Sequence, residues 1–339
     1  MSEEFSGKLN QLHRELPEGL VVDSTWLRAR GYSAQLCRKY VTNGWLERVA
    51  HGVYRKPGGK LLWEHVVISL QTLLMKPLLV GGGTALSLHG FTHYLRREEK
   101  EVHLYGPEEA PTWLRKLPLQ VTFLSHNSGA LFRNEPVHFG LTSLGWNLNN
   151  GSPVNVASYN GSSFKVMTWG QWDWPLTLST PERAILEMLD GLPAHESFDQ
   201  ADKTMEGLTT LSPRKLQKLL LDCKSIKVKR LFFFFADRHN HPWRKHLDKD
   251  AINLGTGKRM LVPGGRLDPT YLITVPEELH AGHLAVQEAG RPAGTGHPCC
   301  RGREGLRPQG RHRHQPVHPR HAASVRRYRP DIPAGHAAR

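Results

Sequence analysis

Apolar residues between positions 19 and 58 first recur with a helical period and then alternate, and polar turns separate the segments. Asp23 and Ser33 each stand just before an apolar helical segment, as helix N-caps do. Two strand patterns follow, over 45–49 and 53–56. This order of helix, turn, helix and hairpin predicts a winged helix-turn-helix, and we assign residues 1–58 to it.

The second predicted helix leaves a polar and basic face, and the hairpin after it is also basic. A helix fits the DNA major groove, where Gln can pair with adenine and Arg with guanine, while Lys and Arg attract phosphates. We therefore expect these residues to bind DNA: Ser33, Gln35, Arg38, Lys39, Thr42, Arg48, His51, Tyr54, Arg55 and Lys56. The alternative is the ordinary solvated face of a small helical domain.

Helix and strand patterns alternate beyond residue 60 and predict a larger C-terminal domain, so the fold class is mixed α/β. A helix is expected over 62–75, strands over 101–105, 120–124, 164–169 and 271–275, and further helices after Ser179 and Ser212. An earlier helix around 9–16 is expected to pack under the second helix of the winged domain. We place a linker at 59–62, the C-terminal domain at 63–279 and a basic tail of low order at 280–339.

The 339-residue chain is 39% hydrophobic, which is enough to build a core, and its formal net charge of +14 is typical of proteins that bind nucleic acid. More than half of that positive excess lies in the tail, which is rich in Arg and contains no Lys. The four cysteines show no zinc-ligand spacing with paired histidines and no disulfide framework. The polar N-terminus and the short apolar runs lead us to expect a reduced, cytoplasmic protein without a membrane partner.

Three glycines at 81–83 lead into a predicted helix, as they do in loops that bind phosphate. The Walker lysine and the Ser or Thr that follows it are absent, so we expect a site of close helix packing instead. The glycine-rich segment 254–259 also lacks the spacing of a nucleotide loop. We therefore expect no cofactor.

Histidines and aspartates are dense between residues 237 and 250, where a metal site or a nuclease centre is conceivable. The three histidines, His239, His241 and His246, match no metal-ligand spacing. Asp237, Asp248, Lys249 and Asp250 are the densest candidates for a nuclease centre, and they read as a polar loop. We expect no metal and no enzyme activity.

Several segments together resemble the AbiEi family, antitoxins and transcriptional repressors of type IV toxin–antitoxin systems. The resemblance covers about 8–279 and is carried by 51–55, 80–86, 179–184, 225–232, 254–259, 265–268 and 273–276. It implies an N-terminal domain that binds inverted repeats in the promoter of its own operon, as a homodimer or as two monomers on repeated half-sites. It also implies a C-terminal domain that counteracts a cognate nucleotidyltransferase-like toxin, by direct or indirect antagonism.

Basic residues of the C-terminal domain are candidates for that antagonism. Arg183 is expected on the surface, as a solvated charge or a partner contact, and 224–230 is read as the solvated start of a buried helix or as a surface for an acidic partner. The candidates for toxin antagonism are Arg183, Lys224, Lys227, Lys229, Arg230, Lys258 and Arg259. A nuclease-like enzyme targeted by the winged helix and a ligand-sensing regulator remain alternatives.

The tail beyond residue 279 has two interpretations. A disordered basic arm would add nonspecific DNA affinity. We favour a frameshifted reading of GC-rich DNA, because the shifted frame can encode strings that are typical of a nucleotidyltransferase-type toxin. The nucleotide sequence decides between the two, since early stop codons in the other frame exclude the second.

Overall fold

The computed structural model describes residues 2–91, 100–134 and 163–279, so the predicted tail lies outside the described residues. The winged region contains α1 (Ser2–Glu15), β1 (Val21–Asp23), α2 (Ser24–Ala29), α3 (Ala34–Thr42), β2 (Glu47–Ala50) and β3 (Val53–Arg55). The first part of the larger region contains α4 (Trp63–Thr72), β4 (Leu79–Val80), α5 (Gly82–Leu88), β5 (Glu101–Gly106), β6 (Thr122–Asn127) and α6 (Ser128–Leu131). Its second part contains β7 (Phe164–Trp169), β8 (Trp174–Ser179), α7 (Pro181–Asp190), α8 (Phe198–Gly207), α9 (Pro213–Asp222), α10 (Ile226–His239), β9 (Arg266–Asp268) and β10 (Ile273–Val275).

The first six elements form a winged helix-turn-helix. Its three antiparallel strands lie in the order β1-β3-β2, and Val22 pairs with Tyr54. Leu12 and Leu16 of α1 are buried in the core under these elements. The helix-turn-helix and hairpin predicted from the pattern are therefore present, with β1 as an additional strand.

A five-stranded mixed sheet organises the larger region, with strand order β6-β5-β4-β8-β7. Strand β4 pairs antiparallel with β5 and parallel with β8. Strand β6 is parallel to β5, and β7 is antiparallel to β8. The mixed α/β class predicted from the sequence is confirmed.

Four strands and two α-helices of the described residues have no counterpart in the sequence prediction: β1, β4, β8 and β9, and α6 and α8. All six residues of β8 are buried, so the strand lacks the polar alternation that marks a half-exposed strand. Strand β1 has only three residues, which is too short for a period to show. Helix α8 has fully buried Ala201 and Met205, but the segment is polar overall and shows a weak apolar stripe.

Helix α4 connects the winged sheet to the five-stranded sheet. The Ser69 hydroxyl accepts a hydrogen bond from the backbone N–H of Val21, in β1, at 2.9 Å. On the same helix, the buried Gln71 amide donates to the carbonyls of Leu78 and Thr177 and accepts from the Thr177 N–H, at 2.8–2.9 Å. Ser69 therefore fixes α4 on the winged side, and the fully partnered amide of Gln71 fixes it on the side of the five-stranded sheet.

The core of the larger region centres on α10 and α7. Phe232, Phe233, Phe234 and Phe235 of α10 are all fully buried, which confirms the predicted buried helix. The Gly81–Gly83 turn packs closely against α7. A Cβ at Gly81 would lie 2.3 Å from the Glu187 carboxylate, and one at Gly83 would lie 2.4 Å from Glu196. The predicted close packing at these glycines is therefore confirmed, and its neighbours are carboxylates.

Candidate nucleic-acid interface

Caps and a tight turn set the orientation of α3 relative to α2. The Asp23 carboxylate accepts a hydrogen bond from the Trp26 N–H at 2.8 Å, and the Ser33 hydroxyl accepts one from the Leu36 N–H at 3.2 Å. Gly31, between the helices, has φ = +81°, which a residue with a Cβ adopts only at a cost. Tyr40 is fully buried and anchors the inner face of α3. These contacts fix which face of α3 meets solvent.

The solvent face of α3 carries the five helix residues predicted to bind DNA: Ser33, Gln35, Arg38, Lys39 and Thr42 are all exposed. The Thr42 hydroxyl donates to the Arg38 carbonyl at 3.1 Å, so its remaining capacity is as an acceptor. The Ser33 hydroxyl is engaged in the cap. Gln35 and Arg38 therefore offer the long polar side chains on this face that could reach base edges.

The wing presents fewer cations than the sequence suggested. Arg48 and His51 are exposed, whereas Tyr54 and Lys56 are half-buried. Arg55 is buried, because β3 turns its side chain inward, where its Nε lies 2.8 Å from a Glu47 carboxylate oxygen. The expectation that Arg55 contacts DNA phosphate is therefore wrong for this conformation.

Lys56 is also held by the protein. Its ammonium donates to the carbonyl of His13 in α1 at 2.7 Å. Partial burial lowers the pKa of Lys56, and burial together with the Lys56 charge lowers the pKa of His13. Lys56 therefore links the wing to α1, and its ammonium is already engaged in this hydrogen bond in the absence of DNA.

In the C-terminal region, Arg183 is not on the surface. It is fully buried, and its Nε forms an ion pair with Glu187, one helical turn away, at 2.7 Å. The guanidinium lies over the rings of Phe132 and Phe164, at 4.4 and 4.8 Å from their centroids. The predicted surface position is wrong, because α7 packs this face against the five-stranded sheet.

Arg230 and Lys229 are also buried, so 224–230 is not a uniformly solvated helix start. The Arg230 guanidinium donates to the backbone carbonyls of Leu254, Gly257 and Leu272 at 2.7, 2.7 and 3.3 Å. Burial lowers the pKa values of both side chains. Arg230 therefore shapes the glycine-rich loop that follows and does not face a partner.

The remaining candidates for toxin antagonism are accessible. Lys224 is exposed and donates to the Gly129 carbonyl, and half-buried Lys227 donates to the carbonyls of Asp190 and Leu192. Lys258 and Arg259 are exposed on the loop that Arg230 supports. Of the seven predicted residues, this loop pair has the greatest freedom to meet a partner.

A polar cluster beside the Gly81–Gly83 turn was not predicted. The Glu187 carboxylate accepts from the Gly82 N–H at 3.0 Å and from the Ser179 hydroxyl at 2.8 Å, in addition to Arg183. Tyr105 donates to the Glu187 carbonyl, and burial raises the pKa of its phenol well above the usual range. The four-residue spacing of Arg183 and Glu187 is the signal in the sequence that could have indicated this pair.

Histidines adjoin the same cluster. The His103 and His126 ring nitrogens lie 3.0 Å apart, and the His126 ring stacks on Tyr105 with a centroid distance of 4.6 Å. Burial and the nearby His195 lower the pKa of His126. The Glu187 carboxylate accepts the hydrogen bond from the Gly82 N–H, which a bound phosphate would otherwise accept. The Gly81–Gly83 turn therefore serves in packing.

The aspartates of the nuclease alternative are engaged separately. Asp237 pairs with Arg244 at 2.6 Å and accepts a short hydrogen bond from the Tyr271 hydroxyl. Asp248 accepts from the backbone of its own turn, and Lys249 donates to Tyr271 at 3.0 Å. Among the residues that the structure describes, no group of three His, Cys, Asp or Glu is placed to hold a metal ion.

His239 pairs with Asp202 at 2.8 Å, and the buried His241 hydrogen-bonds to the Met205 carbonyl at 2.7 Å. Each of these histidines therefore has a structural partner. In the described ranges, no helix has the length and apolar character needed to cross a membrane.

Two family models match adjoining parts of this chain. Residues 6–97 match the family described as "Transcriptional regulator, AbiEi antitoxin N-terminal domain", and residues 99–276 match "Transcriptional regulator, AbiEi antitoxin, Type IV TA system". None of the curated proteins matches the chain. Among solved structures, the RV2827C protein from Mycobacterium tuberculosis is similar at 14% identity and a TM-score of 0.48, over 84% of this chain and 94% of that one. The two family matches together span most of the chain, which belongs to the AbiEi family of antitoxins and transcriptional regulators of type IV toxin–antitoxin systems.

Proposed function

We propose that this chain is a DNA-binding autorepressor, whose α3 reads inverted repeats in the promoter of its own operon. The observation that carries the proposal is the exposure of Gln35 and Arg38 on a helix whose opposite face is anchored by buried Tyr40. In a helix-turn-helix, such a second helix enters the major groove while neighbouring cations contact phosphates. Arg48 and His51 of the wing are placed on the exposed side of the hairpin for that second task.

Two copies on inverted half-sites would place two α3 helices on one face of the duplex, one or more helical turns apart. A homodimer and two independent monomers both satisfy this arrangement. The family assignment to transcriptional regulators supports a cytoplasmic protein that acts by binding and not by catalysis. The separate structural partners of Asp237 and Asp248 favour this proposal over a nuclease.

A promoter reporter tests the repressor proposal. The full chain should repress a reporter fused to its own operon promoter, and the double variant Gln35→Ala, Arg38→Ala should relieve that repression. The control is Arg214→Ala, an exposed cation on α9. Equal repression by the wild type and the double variant would contradict the role of α3.

We further propose that the C-terminal region opposes a nucleotidyltransferase-like toxin through the loop 254–260. Arg230 holds this loop from below, and Gly255 and Gly257 give it its left-handed turns, with φ of +65° and +79°. The loop presents Lys258, Arg259 and Met260, whose side chain is among the most exposed apolar groups described. Because a preformed loop loses little conformational entropy on binding, a cationic surface with an apolar tip suits an acidic partner protein.

Co-expression with the toxin gene of the same operon tests this surface. Lys258→Glu with Arg259→Glu should abolish the rescue of growth, while the promoter reporter stays repressed. The matched control is Arg115→Glu with Lys116→Glu, an exposed adjacent pair elsewhere in the same region. Full rescue by the loop variant would exclude direct contact through 254–260 and would leave indirect antagonism.

A further inference from the structure

A cleft of about 960 Å³ lies where the winged region meets the five-stranded sheet. One wall comes from the end of β3, the chain after it and the start of α4, and the other comes from Lys100 and the segment that enters β6. We propose that this cleft binds a phosphorylated small molecule that also carries a flat aromatic ring. The family description names no ligand for this cleft, and the surface that we propose for DNA binding lies elsewhere, on α3.

Three cations line the cleft: Arg55, Lys60 and Lys100. Lys60 and Lys100 are exposed, and neither has an ion-pair partner within the described part of the chain. Among the described residues that line the cleft, the one acidic residue is Glu64. The balance of charge in the cleft therefore favours an anion.

Arg55 gives the strongest indication of a ligand. Its side chain is more than nine-tenths buried, its Nε pairs with Glu47, and its Nη2 donates to the Gly59 carbonyl at 3.2 Å. The remaining terminal nitrogen, Nη1, is buried and has no hydrogen-bond partner in the described residues. A buried charged donor without an acceptor is costly, and an anion bound in the cleft that Arg55 lines would offset part of this cost through its charge.

The cleft is already shaped before any ligand arrives. Arg55 fixes Gly59, which has φ = +61°, and so sets the direction of Lys60. On the other wall, the Lys100 carbonyl accepts from the Thr122 N–H at 2.8 Å, which holds the base of Lys100 against β6. Because the backbone of the cleft is held before binding, little conformational entropy is lost there, and the two exposed lysine side chains can contribute to affinity.

The uncharged residues that line the cleft favour a small molecule over DNA as its ligand. Leu62, Trp63 and Val121 are half-buried and form an apolar wall beside the cations. A concave site of this volume, with apolar walls and a few charged groups, has the character of a small-molecule site. Trp63 can pack on a flat ring while the lysines contact phosphate oxygens. A nucleoside triphosphate combines both chemistries.

Calorimetric titration of the full chain, without DNA, tests the proposal with ATP, inorganic triphosphate and adenosine as probes. We expect ATP to bind, inorganic triphosphate to bind more weakly, and adenosine to give no detectable heat. Lys60→Gln with Lys100→Gln should weaken ATP binding roughly tenfold or more, as expected for two lost charge-assisted contacts. The control is Lys165→Gln with Lys245→Gln, an equal loss of charge at two exposed lysines outside the cleft, which should bind ATP as the wild type does.

Several results would overturn the assignment. The absence of ATP binding would do so, as would equal weakening in the cleft variant and in the control. Competition with a random-sequence duplex tests DNA as the alternative ligand of the cleft. If DNA displaces ATP, and if its binding depends on Lys60 and Lys100 more strongly than ATP binding does, these lysines contact DNA phosphates instead. Since these measurements need no operator, failure here leaves the repressor proposal to its own test.

Discussion

The winged region and the C-terminal region use the same residue type for opposite purposes. On α3, Arg38 is exposed and its helix is held by other residues, whereas on α7, Arg183 is fully buried and holds Glu187 and two aromatic rings. Both arginines follow a helix cap and both lie near other polar residues in the sequence. Under the proposed function, Arg38 is available to DNA because other residues anchor its helix, whereas Arg183 is used up in anchoring its own helix.

The largest difference between the two regions should appear when Arg183 is changed to Ala. Removal of one partner from a fully buried ion pair leaves the Glu187 charge uncompensated, which costs about 3–5 kcal/mol. We expect this loss in the free energy of unfolding, measured by urea denaturation.

A matched control is available in α8, where Lys203 pairs with Asp199 at the same four-residue spacing but in solvent. Lys203→Ala should lower the free energy of unfolding by less than about 0.5 kcal/mol, as exposed helical pairs do. Similar losses for the two variants would mean that burial does not distinguish these pairs.

Arg230→Met should have the next largest effect. The variant keeps an apolar stem but leaves three backbone carbonyls without this donor, which costs roughly 2–3 kcal/mol. Hydrogen exchange should increase in 254–259, and Arg259→Met on the same loop should change it little. Unchanged exchange in Arg230→Met would contradict the supporting role.

Arg38→Ala should act on recognition instead of stability. An arginine that pairs with a guanine contributes about 1–3 kcal/mol of discrimination against the wrong base. Urea denaturation should show the wild-type stability within about 0.5 kcal/mol, because Arg38 is exposed. Fluorescence anisotropy should show a smaller ratio of affinities for promoter and random duplexes, and an unchanged ratio would remove Arg38 from base reading.

Arg48→Ala should give the smallest effect, which is seen in the salt dependence. A phosphate contact contributes about 1 to the slope of log affinity against log salt, and its loss weakens all sequences alike. Arg55→Ala, in the same hairpin, should instead lower the melting temperature, because Arg55 pairs with Glu47 and holds Gly59. A lower melting temperature in Arg48→Ala would contradict the prediction that Arg55, and not Arg48, stabilises the hairpin.

Local signals in the sequence were sufficient for the helix-turn-helix and the hairpin of the winged region. Asp23 and Ser33 cap their helices as predicted, and Tyr40 faces inward with the helical period. Caps and periods act over a few residues, so they can be read without knowledge of the fold. Local patterns also predicted several helices and strands of the larger region, and the family resemblance supported that region as a whole.

The features that depend on long-range packing could not be predicted from the sequence. Arg183, Lys229 and Arg230 are buried by elements far away in the sequence, and no local pattern shows that a carbonyl of Leu272 will meet Arg230. Strand β8 was missed for the same reason, since both of its faces are covered. In the site, the exposed face of α3 follows from its period, whereas the inward turn of Arg55 depends on Glu47 across the hairpin.

The most direct test of the repressor account is a titration of the full chain with two duplexes of equal length, its own operon promoter and a shuffled sequence, at one salt concentration near physiological. The account predicts that the promoter binds tighter by a factor of about 1,000 or more, as in specific regulators. Equal affinities for the two duplexes, with the same salt slope, would contradict it.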